Sequence, residues 1–130
     1  MILDTSFLID LFDGERAAFE KGVELSEVGV VQRVPSPIVT EISYGAEFGD
    51  EEERRNVRNA LRMYPVVEQD EETARNAGEL LARADRKSGG ESGIGWIDAM
   101  IAAFGEGYDE PVLTDNVEDF KRLGVEVEAY

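Results

Sequence analysis

Short apolar runs alternate with amphipathic helical segments along the whole chain, and that alternation leaves few folds open. Residues 1–4, 30–34, 65–69 and 111–114 read as strands, and Val125 and Val127 alternate with acids in a last strand suited to a sheet edge. Thr5 or Ser6 can cap a first helix carrying Phe7, Leu8, Leu11 and Phe12, and a weaker helical segment lies between Gly14 and Gly29. Pro35-Ser36-Pro37 stops the second strand and opens a helix, with Ser36 as the expected cap and Ile38, Ile42 and Gly45 as its inward stripe. Asp70 caps a further helix in which Ala74, Ala77, Leu80, Leu81 and Ala84 are expected to face inward. After the Ser88-Gly89-Gly90 loop, Ile97, Ile101 and Phe104 recur at i, i+4 and i+7 and mark one buried helical face. Asp119 and Phe120 sit in a short helical turn. Strand and helix in alternation predict a parallel sheet covered on both faces, and 130 residues without a linker or repeat predict one domain spanning residues 1–130.

The chemistry open to this chain is narrow. It contains no cysteine and no histidine, which removes thiolate nucleophiles, disulfide scaffolds, serine triads and imidazole metal sites together. Any catalysis must use carboxylates, and a hard metal suits them. The N-terminus carries no basic, cleavable apolar leader, and no apolar run approaches the roughly 20 residues of a membrane span. A soluble, cytoplasmic protein is the expectation. A net charge of −16 argues against a nucleic-acid partner in ordinary buffer, but the acids are scattered rather than gathered in a tail. A salt-rich cytoplasm would account for that distribution, because ionic strength screens the repulsion.

Four acids have positions that invite a functional reading. Asp4 and Asp115 follow predicted strands, where ligands of an open parallel sheet collect. Asp98 lies in the first turn of its helix beside the small residues Ala99, Ala102 and Ala103, and Glu41 lies at the edge of a buried helical face. Three of them have a plain structural alternative: a turn or cap for Asp4, a favourable helix-terminal charge for Asp98, a solvated surface acid for Glu41. Convergence would tell against those alternatives. Three or four converging carboxylates repel one another unless a divalent cation neutralises them, and all-oxygen ligands select Mg²⁺ or Mn²⁺. Arg54, Arg58 and Arg62, spaced every four residues, form the one concentrated basic stripe, suited to phosphate or to an acidic partner; Glu51 four residues before Arg55 offers local pairing instead.

In four stretches the sequence resembles the PIN-domain nucleases, and within them the VapC-like toxins of toxin–antitoxin pairs. These are Ile-Leu-Asp-Thr-Ser at 2–6, Thr-Glu-Ile at 40–42, Asp-Ala-Met-Ile-Ala-Ala at 98–103, and Leu-Thr-Asp-Asn followed by Asp-Phe between 113 and 120. The resemblance implies a three-layer α/β fold with a central five-stranded parallel sheet flanked by helices. It implies Asp4, Glu41 and Asp98 as metal-site acids, with Ser6 or Thr5 in support. The family's fourth acidic position falls on Asn116, so Asp115 or Asp119 would substitute. It further implies Mg²⁺- or Mn²⁺-dependent cleavage of single-stranded RNA, a homodimer, and a VapB-like antitoxin as partner. Two rivals have a sequence basis. A haloacid-dehalogenase-type phosphatase needs a second acid two residues after the first, where Ser6 stands; a catalytically silent PIN-like module would keep its acids for solubility alone.

Overall fold

A computed structural model describes all 130 residues, and the strand–helix alternation is present throughout. In chain order the elements are β1 (Ile2–Leu3), α1 (Thr5–Phe12), α2 (Arg16–Glu27), β2 (Val34–Pro35), α3 (Ser36–Glu47), α4 (Glu51–Leu61), β3 (Val66–Val67), α5 (Glu71–Lys87), α6 (Trp96–Tyr108), β4 (Val112–Leu113), α7 (Val117–Arg122) and β5 (Val127–Glu128). Ile2, Leu3, Val34, Val112 and Leu113 are fully buried, as strands covered by helices require. Phe7, Leu8, Ile38, Ile101, Phe104 and Phe120 close over them from the helices. No helix is long and apolar enough to cross a membrane.

All strand pairs are parallel, but the expected single five-stranded sheet is not formed. One sheet runs β1-β4-β5 and a second pairs β2 with β3. Between β1 and β2 the ladder shrinks to one bridge, Ile2 to Arg33, held by Leu3 N to Arg33 O and Arg33 N to Met1 O, each 2.9 Å. The physical reason lies in β2. Val34 donates its N–H to Pro65 O on the β3 side, Pro35 has no N–H to give, and the chain turns into α3 immediately afterwards. Laid edge to edge through that bridge, the strands follow the order β3, β2, β1, β4, β5. The chain therefore leaves β1 in one direction for β2 and β3, then returns to its other side for β4. A reversal of this kind opens a crevice at the carboxyl ends of the two strands that flank it, here β1 and β4.

Several local expectations change. Asp4, not Thr5 or Ser6, is the N-cap of α1, with its carboxylate accepting from Thr5 N at 2.8 Å. Ser36 is the first residue of α3 rather than its cap; its hydroxyl accepts from Gln69 N at 3.1 Å and ties the helix to the chain leaving β3. Ala74 and Gly45 are exposed, because the inward stripes of α5 and α3 are narrower than the apolar residues suggested. Glu51 and Arg55 form no ion pair. As expected, Asp70 caps its helix, accepting from Thr73 N at 2.8 Å, and Asp50 caps α4 in the same way, accepting from Glu53 N at 2.8 Å. β5 is a sheet edge, also as expected.

Candidate active site

Asp4 is the buried anchor of the crevice, with 4% of its surface exposed. Its backbone N–H donates to Leu113 O at 3.0 Å, so the turn after β1 is fixed against the end of β4. Its carboxylate is held at both oxygens: Oδ1 accepts from Thr5 N, and Oδ2 accepts from Thr114 Oγ1 at 2.6 Å and Ser6 Oγ at 2.9 Å. Burial raises the Asp4 pKa above the usual carboxylate value. The donated hydrogen bonds oppose that rise, and the charge of Glu41 adds to it.

Thr114, fully buried directly after β4, was not singled out by sequence reasoning, yet it joins the two strand ends. Its hydroxyl donates to Asp4 and accepts from Asn116 N at 2.9 Å. The available signal was a small hydroxyl residue at the carboxyl end of a strand, opposite an acid at the end of another.

Glu41 is exposed on α3, but Thr5 Oγ1 donates to its Oε1 at 2.5 Å, which aims it at the same crevice. Asp98 lies in the first turn of α6, whose N-cap, Gly95, offers no side-chain bond. A helix N-terminus favours a charged carboxylate, yet the Asp98 pKa is pushed up to about 6. Burial is the largest cause, followed by the negative charges of Asp4, Asp119 and Glu41. Desolvation and carboxylate repulsion both act against the charged form at this residue.

The acids at the end of β4 separate. Asp115 is exposed; its N–H donates to Ser6 Oγ at 3.3 Å, and its charge is not among those that act on Asp98. Asn116 and Asp119 face Asp98 instead. Asn116 Nδ2 donates to Asp119 Oδ2 at 3.1 Å and, more weakly, to Asp98 Oδ2 at 3.4 Å. Asp119 is also paired with Arg122, its Oδ1 lying 3.2 Å from Nη1. No lysine or arginine pairs with Asp4, Glu41 or Asp98. On the rim of α1, the Tyr130 hydroxyl donates to Asp10 Oδ2 at 2.5 Å, and its ring meets Phe7 edge-on at 5.1 Å. Neither Asp10 nor Tyr130 carried a sequence signal.

The donor set is all oxygen, and its negative charge has no protein cation beside its three central members. That chemistry fits a hard divalent ion. No three carboxylates converge closely enough to hold an ion between them alone. Mg²⁺ does not require such a cage, since it is commonly held by one or two carboxylates and completes its shell with water.

The comparisons agree with the fold. The chain is similar to the DNA-bound VapBC structure from Salmonella typhimurium, at 24% identity over 98% of this chain and 96% of that one, with a TM-score of 0.84. It is similar to VapBC2 from Rickettsia felis, bound to a promoter DNA fragment, at 18% identity over 99% and 97% of the two chains and a TM-score of 0.79. VapBC-1 from nontypeable Haemophilus influenzae gives 22% identity over 98% and 96%, again with a TM-score of 0.79. No curated protein matches the sequence significantly. The sequence model of the PIN domain matches residues 1–126, and the chain belongs to the PIN domain family.

Proposed function

We propose that this protein is a metal-dependent endoribonuclease, the toxin of a VapBC-like toxin–antitoxin pair. Its substrate is single-stranded RNA, its partner a VapB-like antitoxin, and its working form a cytoplasmic homodimer of one domain spanning residues 1–130. The observation that carries the reading is the gathering of Asp4, Glu41 and Asp98 around the ends of β1 and β4, with Asp4 fixed by Thr5, Ser6 and Thr114, Glu41 held by Thr5, and no lysine or arginine paired with any of the three. A solvated surface acid has no such neighbours. Membership of the PIN family and the likeness in fold to the toxin–antitoxin complexes support the same reading.

In this reading Asp4 and Asp98 are the direct ligands of Mg²⁺ or Mn²⁺, with Glu41 completing the acidic face. An ion held by these acids would supply charge neutralisation at a scissile phosphate and would lower the pKa of an attacking water. The chain's own residues supply the positioning. Ser6, Thr114 and the Thr5 N–H fix both oxygens of Asp4, so it meets a ligand in one orientation. Thr5 aims Glu41, whose exposed carboxylate can accept a proton from the attacking water. Asn116 holds Asp98 and Asp119 through one amide. Of the candidates for a fourth acidic position, Asp119 acts on Asp98 directly, and Asp115 serves the loop that Ser6 anchors.

Cleavage of a mixed-sequence RNA in Mn²⁺ and in EDTA tests the proposal. Loss of a partner outside the ligand set typically costs 10–100-fold, so Asp98→Asn is expected to lower cleavage more than about a hundredfold. Retained cleavage in that variant, or equal cleavage in EDTA, would remove the mechanism.

A further inference from the structure

We propose that the groove between α3 and α4 is a docking site for an acidic, amphipathic peptide segment of a partner protein. The groove encloses a cavity of about 340 Å³. Val39, Leu61 and Tyr64 are among the residues that give it an apolar floor, and Arg54, Arg58 and Arg62 line it as well, against a single acid, Glu47. In a chain with 29 acids and 13 bases, none of these three arginines is paired with a carboxylate. Arg54 gives one N–H to Gly49 O at 2.8 Å, while Arg58 and Arg62 are exposed near the carbonyl end of α4. The helix dipole favours cations at that end but leaves their guanidinium forks free to take carboxylates. Val66, 45% exposed on the sheet-edge strand β3, also lines the cavity.

Charge and size together select the occupant. A polyanion several phosphates long would bring more negative charge into this groove than its three arginines can neutralise. A short segment can seat one or two apolar side chains on the floor and bring only as many carboxylates as there are arginines. The groove lies on the opposite side of α3 from Glu41, since Val39 and Ser43 each stand two residues, about 200° of helix, from it. Occupancy therefore leaves the acidic crevice open, and the inference is independent of what that crevice does.

Fluorescence anisotropy of the whole protein with a labelled acidic peptide, QELLQELLQE, whose three carboxylates match the three arginines, tests the proposal against two controls, QKLLQKLLQK and a dodecamer of uridine. Saturable binding of the acidic peptide is expected, weakening between about 50 mM and about 500 mM KCl. Arg58→Gln with Arg62→Gln should weaken it roughly tenfold. Val66→Asp, an exposed change that adds one repulsive charge, should weaken it in the same direction, and both variants should melt within a degree or two of the parent. Failure of the folded parent to bind the acidic peptide would overturn the proposal. Undiminished binding by the double variant, or equal binding of the basic control, would do the same. Uridine bound more tightly than the peptide and lost with the same arginines would assign the groove to RNA instead.

Discussion

At the scale of single residues, the account turns on charge that has no partner within the chain. An aspartate titrates near 3.8 when unperturbed, and Asp98 in the folded chain near 6. Between those values the folded state binds more protons than the unfolded state, so stability falls as pH rises. In EDTA the melting midpoint is therefore expected to drop between about pH 4 and about pH 7, and the Asp98→Asn variant should show a shallower drop, readable in melts across that range. An identical slope in both proteins would mean that Asp98 titrates as an ordinary surface acid. Legibility at this scale followed from position. Asp4 and Asp98 could be picked from the sequence because a strand end and a helix start are recognisable in one dimension. Thr114 acts through a contact with a residue 110 positions away, which no local pattern records, and Asp119, offered only by the family resemblance, acts on Asp98 by its charge across 21 positions.

At the scale of elements, α6 has to lie close to β1 and β4 if Asp98 is to reach Asp4. Gly105 permits that approach. A Cβ added there would meet Val112 Cγ2 at 3.0 Å and Glu110 O at 3.2 Å. In a free helix alanine would be better than glycine by about 1 kcal/mol, but overpacking against a backbone carbonyl costs about 1–3 kcal/mol. Gly105→Ala is thus expected to destabilise by about 1 kcal/mol on balance, measured by urea unfolding; a gain would show that α6 has slack against β4. Element types were legible because strands and helices differ in the period of their apolar residues. Their pairing was less so. The β-branched run at 30–34 predicts a strand, but only Arg33, Val34 and Pro35 take part in pairing. The missing N–H of Pro35 then divides what the family resemblance implied as one sheet. Ser36 illustrates the same limit: its hydroxyl suits a cap, and the amide it accepts from is 33 residues away.

For the whole molecule, the dominant fact is a net charge of −16 on 130 residues. Self-repulsion of that size destabilises the compact state at low ionic strength. Moving from about 50 mM to about 2 M KCl should raise the melting midpoint by several degrees, because the Debye length then falls below typical separations between surface acids. An unchanged midpoint would remove the halophilic reading. Bulk screening does not reach the carboxylates of the crevice in the same way, since buried groups are screened much less. In the proposed function a specific divalent ion neutralises them, which would separate the site from the rest of the acidic surface.

The most direct test of that claim is a set of melts of the parent and Asp98→Asn, each in EDTA and in Mn²⁺, at fixed high KCl and pH 7. If the crevice is a divalent site, Asn removes a repelled charge, so the variant should melt above the parent in EDTA. Mn²⁺ should then raise the parent's midpoint by mass action and leave the variant's nearly unchanged. If Asp98 is only a favourable helix-terminal charge, the variant should instead melt lower in EDTA, by the equivalent of about 0.3–1 kcal/mol, and Mn²⁺ should move neither protein. That second pattern would contradict the account.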